Sequence, residues 1–454
     1  MRAKRTRQAL RAIQTTTRVT GALHAIRRWR PERTARELWH DWRRLPVVRM
    51  TAAAVAGLLA LQAATVAVLS VVVASRRKRR RLLEGFPYLH LPETQVGDNS
   101  VRVYSYGRDL YDAMLAAIEY AKERIYLESF IWKDDAVGEE FKERLIRRAR
   151  EGVDVYIIFD GFGNLVVPGA FKQFPLDIPH LHVMRYTPFH RPWHIFDPRR
   201  YALDHRKLLV VDGRIGFIGG YNIGSLYATE WRDTHMRIRG PAVADLAQSF
   251  VDFWNARHSR VKRIRRRYQR RFDPFIQLHS NDALRLTFPI RDMYIDAIDR
   301  ADHHIYLTNA YFVPDHVLLE ALKAAVERGV DVQVLLPWTS NHIVADWVSR
   351  GYFADCLKYG IRIFGYRKAM IHAKTCTIDG QWSTIGTANL DRLSSVGNYE
   401  INVEIYSEAL ARQMEELFTC DKLNAPELTL EGWIHRPWYQ EVSERILAPL
   451  RLML

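Results

Sequence analysis

The sequence predicts an α/β fold with two related halves about a pseudo-two-fold axis, preceded by one transmembrane helix. Three observations support this prediction: a repeated order of helix-like and strand-like segments, a repeated set of polar residues, and one long apolar segment near the N-terminus. A repeat of whole supersecondary units indicates duplication of one domain rather than the joining of two unrelated ones.

Composition indicates a globular protein of about two domains. The chain has 454 residues, of which 48% are hydrophobic and 26% are charged. Cys356, Cys376 and Cys420 are an odd number without paired spacing. They therefore indicate neither a disulfide framework nor a zinc cluster, and they favour a reducing compartment.

The positive charge is concentrated near the N-terminus. Of the formal net charge of +16, residues 1–81 carry +17 and the rest of the chain carries −1. A near-neutral body disfavours a nucleic-acid partner, which would require an extended basic surface. One further basic run, Arg257–Arg271, holds nine Lys and Arg and no acidic residue. It is either a solvated linker between the halves or a contact for anionic lipid headgroups.

The apolar segment at residues 51–75 contains no charged side chain. A helix of about 20 apolar residues crosses the hydrocarbon core, so we predict a single transmembrane helix. Residues 1–50 form a basic arm before it, which argues against a cleaved signal peptide, and residues 76–98 form a basic juxtamembrane linker. Six Lys and Arg follow the span closely and four precede it, which favours a cytoplasmic catalytic body at the cell (inner) membrane, although the basic arm argues for the opposite orientation. The arginine-rich residues 1–40 leave a mitochondrial transit peptide as a minor alternative.

The repeat covers residues 99–272 and 273–437, which we predict to be the two halves. Helix-like segments begin at Gly107 and Ile290, and strand-like segments follow at Arg124 and His304. A second helix-like stretch in each half ends at a Gly-Val-Asp-Val sequence, which is typical of a helix followed by a strand. The tail, residues 438–454, mixes aromatic, basic and apolar residues, so it is either an interfacial segment or a part of the packed domain.

The same repeat extends to residues that could carry chemistry. Each half contains His-x-Lys followed by Asp, with Asn 17 positions and a carboxylate 28 positions after the histidine. The first set is His205, Lys207, Asp212, Asn222 and Asp233, and the second is His372, Lys374, Asp379, Asn389 and Glu400. A glycine also recurs, as Gly219 and Gly386. A single His-x-Lys pair is weak evidence, whereas two complete sets in register are strong evidence for one site.

This pattern favours transfer at a phosphodiester without a metal or another cofactor. On a strand, residues two apart point to the same face, so each half should project an imidazole and an ammonium together. Two lysines and two asparagines can bind a phosphodiester and stabilise its pentacoordinate transition state. One histidine can attack phosphorus while the other protonates the leaving alkoxide, and the carboxylates, Asp233 and Glu400, would hold the imidazole tautomers. Asp212 and Asp379 precede glycine, so either a catalytic or a turn role remains open for them.

The two His-x-Lys-x4-Asp-x6-Gly motifs, ending at Gly219 and Gly386, resemble those of the phospholipase D superfamily. Flanking segments that begin at Trp231, Tyr311 and Asn398 resemble bacterial cardiolipin synthases over residues 85–450. The resemblance implies a phosphatidyl-histidine intermediate and phosphatidyl transfer between two phosphatidylglycerols with release of glycerol. It also implies that His205 is the nucleophile and His372 the acid/base. The segment after Asn389 lacks the Arg-Ser-Phe that the family often has, and the single predicted span differs from the usual two.

Three other functions compete with the synthase. A phospholipase D-type hydrolase shares the first half-reaction and differs only in using water as the acceptor. A nuclease of the same superfamily is disfavoured by the apolar span and the near-neutral body. A non-catalytic membrane scaffold is disfavoured because both half-sites are complete.

Overall fold

The computed structural model describes residues 46–80, 85–188, 197, 200–258, 263–265 and 272–452. Most of the predicted basic arm and most of the run Arg257–Arg271 lie outside these residues, so their predicted contacts with lipid stay predictions. The chain divides into two compact units, residues 1–65 and 66–454, and every element after the first helix belongs to the second unit.

The first helix contains the predicted apolar span. Helix α1 covers Pro46–Arg80, and within it Met50–Val72 has a mean hydropathy of 2.2. By length and composition, this stretch of 23 residues could cross a membrane.

The first half is built on a mixed eight-stranded sheet. Its strands, with a short β8 that pairs elsewhere, are β1 (Thr94–Val96), β2 (Asn99–Tyr104), β3 (Arg124–Ser129), β4 (Asp154–Asp160), β5 (Leu181–Tyr186), β6 (Leu208–Val211), β7 (Ile215–Gly219), β8 (Trp231–Arg232) and β9 (His235–Arg239). The order across the sheet is β1-β2-β9-β7-β6-β3-β4-β5. Only β3, β4 and β5 run parallel to one another, as strands joined through helices do.

The second half repeats this arrangement. Its strands are β10 (Ile276–Asn281), β11 (His304–Asn309), β12 (Asp331–Pro337), β13 (Arg362–Tyr366), β14 (Met370–Ile371), β15 (Lys374–Ile378), β16 (Trp382–Gly386), β17 (Glu400–Tyr406) and β18 (Glu427–Leu428). The order is β10-β17-β16-β15-β11-β12-β13-β18. Apart from the edge strands β1 and β18, it reproduces that of the first sheet, with β15 in the place of β6. The predicted duplicated α/β fold is therefore confirmed.

Helices cover both sheets. Those of the first half are α2 (Gly107–Glu119), α3 (Ala136–Arg150), α4 (Ser225–Thr229) and α5 (Val243–Arg257). Those of the second half and the tail are α6 (Pro289–Asp299), α7 (His316–Glu327), α8 (Ile343–Tyr359), α9 (Arg392–Val396), α10 (Glu408–Lys422), α11 (Leu430–Ile434) and α12 (Trp438–Leu447). Gly152 and Gly329 adopt φ of 95° and 92° just after α3 and α7, which is the left-handed conformation that ends a helix.

The three largest apolar clusters among the described residues hold these layers together. Two of them lie mostly within one half each, beneath α2 and α3 or beneath α6 and α7. The third is shared, because Phe250 of α5, Met414 of α10, and Val210 and Ile401 of the two sheets belong to one buried cluster. Burial of this shared core fixes the halves against each other. In the tail, Leu447 packs with Trp347 and Val348, so this part of the tail packs on the second half.

Candidate active site

The two predicted carboxylates exchange partners between the halves. Nδ1 of His205 lies 2.9 Å from Oε1 and 3.0 Å from Oε2 of Glu400, which belongs to the second half. Nδ1 of His372 lies 2.7 Å from Oδ2 of Asp233, which belongs to the first half. Because each carboxylate occupies Nδ1, the remaining nitrogen, Nε2, is the one available for chemistry.

Backbone contacts across the halves explain this exchange. The N–H of His205 donates to the carbonyl of Tyr399 at 3.0 Å, and the N–H of His372 donates to the carbonyl of Arg232 at 2.7 Å. β14 and β8 form a small parallel sheet between the halves just before His372 and Asp233. Each histidine is thus placed opposite the residue that precedes the other half's carboxylate. The duplicated order of residues makes the two contacts equivalent.

The predicted strand positions of the histidines require a correction. His205 and Lys207 lie in the segment before β6 rather than on a strand, and His372 lies just before β15, which begins at Lys374. These segments bond to the other half instead of to a neighbouring strand of their own sheet. The alternation of an extended chain still applies, so each His and its Lys lie on one side while Arg206 faces the opposite side.

Both lysines are buried beside the histidines. Nζ of Lys207 donates to the carbonyl of His205 at 2.7 Å, and Nζ of Lys374 donates likewise to the carbonyl of His372. Burial lowers the pKa of Lys207 to about 7 and that of Lys374 to about 8. Neither ammonium is neutralised by a direct ion pair with a carboxylate among the described residues. An entering phosphodiester would therefore offset their charge.

The electrostatics of the four groups show that the half-sites converge. Burial, followed by the charges of Lys207 and Lys374, holds the pKa of His205 well below its usual value. Burial and the same two lysines lower the pKa of His372. Burial raises the pKa of Glu400 to about 7 and that of Asp233 to about 6, while the lysine charges oppose this change. The two lysine charges disfavour a proton on either imidazole, and a bound phosphodiester anion would oppose that effect.

The two asparagines are less alike than the sequence pattern indicates. Oδ1 of Asn222 accepts from the N–H of Ile131 at 3.1 Å, and this side chain is buried. Asn389 lines the cavity described below, and its buried Oδ1 has no hydrogen-bond partner among the described residues. Of the two predicted phosphate ligands, Asn389 is the one that lines this cavity.

Asp212 and Asp379 are placed as turn residues. The carboxylate of Asp212 accepts from the N–H groups of residues 122–124 at 2.8–2.9 Å, and that of Asp379 accepts from residues 302–304 at 2.7–2.9 Å. Both residues have left-handed φ values of 52° and 53°. They lie at the far ends of β6 and β15 from the histidines, so the turn interpretation fits and we do not retain a catalytic role for them.

Two glycines near the site leave space for the side chains of Asp233 and Asn402. A Cβ on Gly220 would lie 2.1 Å from Oδ1 of Asp233, the residue that holds His372. A Cβ on Gly386 would lie 2.1 Å from Oδ1 of Asn402. No side chain fits at either distance, so both positions require glycine.

Several supporting residues were not identified by the sequence analysis. Oγ1 of Thr387 donates to Oε2 of Glu400 at 2.5 Å, and the N–H of Thr234 donates to Oδ1 of Asp233 at 2.7 Å. Arg232 forms a buried bidentate ion pair with Asp421 at 2.9 and 2.7 Å across the halves. Thr387, Thr234 and Arg232 each adjoin a residue of the repeated motifs, whereas Asp421 lies outside them.

A cavity of about 600 Å³ opens beside the histidines. His205 lines it together with Phe130, whose ring lies 4.8 Å from the imidazole between centroids. The second half contributes Tyr311, Asn341 and His342. The cavity is large enough for a lipid headgroup, and of the two motif histidines His205 is the one that lines it.

Among the described residues, no group of three or more His, Cys, Asp and Glu side chains has the arrangement of a metal site. The positive charge of the site comes instead from Lys207 and Lys374, which are buried at 2% and 0% exposure.

The duplicated fold and the paired histidine-lysine half-sites define a phosphodiester-transferring enzyme of the phospholipase D superfamily. The family described as cardiolipin synthase, PLD-like domain, matches residues 114–254 and 294–422. The chain therefore belongs to the cardiolipin synthase family of this superfamily. The predicted enzyme class, a phosphatidyltransferase of the superfamily, is confirmed by this membership.

Relatives with assigned names agree with the family. The chain is 34% identical over 370 residues to a cardiolipin synthase of Listeria monocytogenes, covering 78% of this chain and 76% of that one. It is 32% identical over 368 residues to the major cardiolipin synthase ClsA of Bacillus subtilis, with the same two coverages. A crystal structure of the phosphatidylserine synthase of Haemophilus influenzae Rd KW20 matches with a TM-score of 0.60 at 14% identity. It covers 83% of this chain and 96% of that chain, and it shows the shared fold.

Family membership and the apolar helix together indicate a membrane-associated enzyme that acts on phospholipid.

Proposed function

We propose that this protein is a cardiolipin synthase that transfers a phosphatidyl group from one phosphatidylglycerol to a second one and releases glycerol. The observation that carries the proposal is the pair of histidines, each held at Nδ1 by the other half's carboxylate beside two buried lysines. The family and its named relatives support the same reaction.

In the first step, Nε2 of His205 attacks the phosphorus of the donor. The bond from phosphorus to the glycerol oxygen breaks. His372, an imidazolium held by Asp233 while the anionic donor is bound, gives its Nε2 proton to that oxygen, so glycerol leaves as an alcohol. Glu400 stabilises the positive charge that develops on His205, because it accepts the Nδ1 proton at 2.9 Å. Lys207, Lys374 and Asn389 face the added negative charge of the pentacoordinate state.

In the second step, a glycerol hydroxyl of another phosphatidylglycerol attacks the phosphatidyl-histidine. His372, now neutral, takes the hydroxyl proton while the bond between phosphorus and His205 breaks. The products are cardiolipin and the free enzyme. The larger exposure of the His205 side chain (12%, against 6% for His372) and its place on the cavity wall support its role as nucleophile.

Water as the acceptor would make the same site a hydrolase. The test is the product of phosphatidylglycerol vesicles, with glycerol labelled in the headgroup. We expect cardiolipin and free glycerol in equal amounts, and neither from the His205→Ala protein. Phosphatidic acid with glycerol and without cardiolipin would contradict the proposal.

We also propose that α1 crosses the cell membrane once and that the catalytic body is cytoplasmic. The basic residues 76–81 directly follow the span and favour the inner side. Val66 and Ser70 near the end of the apolar stretch line the cavity, which suits a substrate drawn from the membrane. Protease treatment of intact spheroplasts should leave the body uncut, and cleavage of the body would contradict this orientation.

A further inference from the structure

The two halves line the cavity with different chemistry at equivalent positions. Trp132 lies three residues after the end of β3, and Phe312 lies three residues after the end of β11. Each forms a β-bridge to the segment that follows the repeated glycine of its own half, so the two positions are equivalent. The residues one and two places after the ends of β3 and β11 are therefore equivalent as well. In the first half these residues are Phe130 and Ile131, which are apolar. In the second half the residue at the second position is Tyr311, which is polar.

The loops after β4 and β12 show the same difference. After β4, the first half contributes Phe162, which is 57% exposed. After β12, the second half contributes Asn341 and His342. The cavity is therefore apolar where the first half lines it near His205. The second half adds hydrogen-bonding groups beside apolar side chains such as Ile343 and Val344.

These polar groups lie beside His372. The Tyr311 ring lies 6.2 Å from the His372 ring and 5.4 Å from the His342 ring between centroids. A charge on His342 would lower the pKa of His372, after the larger effects of burial, the two lysines and His205. Residues at this wall are thus next to the group that donates and accepts the headgroup proton.

Tyr311, Asn341 and His342, which form the polar wall, are held in place but keep hydrogen-bonding groups that a ligand could use. The hydroxyl of Tyr311 donates to Oδ1 of Asn341 at 2.6 Å, which orients the amide. Ser340, fully buried, exchanges hydrogen bonds with the backbone of His342 at 3.0 and 3.1 Å, and its N–H donates to Asp346 at 2.7 Å. Within the described part of the chain, neither the Asn341 amide nitrogen nor the His342 ring has a hydrogen-bond partner. Desolvation lowers the pKa of His342, so its neutral ring offers one donor and one acceptor.

We propose that Tyr311, Asn341 and His342 form a glycerol subsite that binds the vicinal diol of the headgroup beside His372. The same subsite holds the leaving glycerol in the first step and the accepting glycerol in the second, because both hydroxyls exchange a proton with His372. The apolar wall of Phe130, Ile131 and Phe162 then faces the acylated part of the donor. This inference rests on the proposed function, and it names the residues that favour a glycerol acceptor over water.

The test separates charging of the enzyme from the choice of acceptor. The full chain in lipid-detergent micelles receives phosphatidyl-p-nitrophenol, whose leaving group needs neither a proton nor the glycerol subsite. Release of nitrophenol reports charging of His205. The ratio of phosphatidylglycerol to phosphatidic acid, with glycerol added, reports the acceptor, and 1-butanol is an acceptor without a diol.

The variants are Asn341→Leu and His342→Leu, with Gln173→Leu, a change from an exposed amide to leucine outside the cavity, as the control. We expect both polar variants to lose roughly tenfold in transfer to glycerol relative to water, the usual effect of a lost orienting hydrogen bond. Their nitrophenol release, transfer to butanol and thermal midpoint should match the parent. Gln173→Leu should keep the parent's ratio. A ratio within about twofold of the parent in both polar variants, or an equal loss in Gln173→Leu, would overturn the subsite.

Failure of the proposed function gives a different result. A parent that forms only phosphatidic acid from phosphatidylglycerol is a hydrolase, and the subsite is then tested through the donor headgroup. In that case, Asn341→Leu should raise the KM for phosphatidylglycerol roughly tenfold and leave the nitrophenyl donor unaffected. An unchanged KM would remove the subsite as well.

Discussion

Glu400 and His205 lie in different halves of the chain, 195 residues apart, yet the carboxylate holds Nδ1 of the imidazole at 2.9 Å. Glu400 belongs to the second half, but it acts on the histidine of the first half. Asp233 and His372 form the reciprocal contact at 2.7 Å.

The first prediction follows from this exchange. Glu400→Gln should reduce covalent charging of His205 on the order of 10²–10⁴-fold, the usual range for a general acid–base contribution, because the amide cannot stabilise the developing imidazolium. Asp233→Asn should leave charging by phosphatidyl-p-nitrophenol near the parent's rate and impair turnover of phosphatidylglycerol. Stopped-flow nitrophenol release measures the first effect and steady-state product formation the second. If Asp233→Asn instead abolishes charging and Glu400→Gln does not, each carboxylate serves its own half.

The second prediction concerns the roles of the histidines. His205→Ala should abolish both activity and attachment of labelled phosphatidyl groups, because the nucleophile is absent. His372→Ala should lose turnover of phosphatidylglycerol but retain attachment from the nitrophenyl donor, whose leaving group needs no proton. Denaturing gels with labelled lipid measure attachment. Label on the His205→Ala protein, with none on His372→Ala, would reverse the assignment.

The third prediction is a bell-shaped dependence of kcat/KM on pH. Burial raises the pKa of Glu400 to about 7, so on the acid side this carboxylate gains a proton and ceases to hold His205. Burial lowers the pKa of Lys207 to about 7 and of Lys374 to about 8, so on the alkaline side their positive charge is lost. The rate should therefore fall in both directions from a maximum near neutral pH. Initial rates on mixed micelles between about pH 5.5 and 9 test this, and a flat profile would contradict it.

The fourth prediction is independence from metal ions. Two ammonium groups and Asn389 offer donors and positive charge, whereas Mg²⁺ or Ca²⁺ would require a cluster of oxygen ligands. Dialysis against EDTA should leave the rate within about twofold of the untreated enzyme, and added magnesium should not raise it. Loss of activity on chelation that magnesium restores would refute this mechanism.

The fifth prediction concerns the ion pair between Arg232 and Asp421, which are both about 1% exposed. Asp421→Leu should lower the free energy of unfolding by about 3–5 kcal/mol, because it leaves a buried guanidinium without its partner. The double variant Arg232→Met/Asp421→Leu should recover much of that loss. Thermal unfolding midpoints measured in detergent compare them, and a double variant no more stable than the single one would argue against an unpaired charge as the cause.

Local patterns predicted the duplicated fold well. The Gly-Val-Asp-Val sequences mark the transition from α3 to β4 and from α7 to β12, because a left-handed glycine must end each helix there. The positions of the histidines relative to β6 and β15 were less predictable. The backbone N–H groups of His205 and His372 bond to the other half. The alternation of side chains along the sequence would instead suggest that they pair with a strand of their own sheet.

The site itself was predicted as a set of residues but not as a set of pairs. Spacing from His205 and His372 identifies Asp233 and Glu400, yet it contains no information on which carboxylate meets which imidazole. The difference between Ile131 and Tyr311, or between Phe162 and Asn341, likewise becomes meaningful only when both walls enclose one cavity. The pairing of carboxylates with imidazoles and the difference between the two walls both depend on tertiary contacts. A sequence repeat shows only which residues the halves have in common, so it does not predict them.

Because each carboxylate serves the other half, activity can begin only after both halves have been synthesised and folded. During synthesis, the first half emerges with His205 and Lys207, while Tyr399 and Glu400, which position His205, are still to be made. A ribosome-bound or truncated first half would therefore lack the anion that sets the imidazole tautomer, and it would leave the surrounding bilayer intact. The enzyme becomes able to break phosphodiester bonds only when the second half has docked, so the active site is complete only in the fully folded chain.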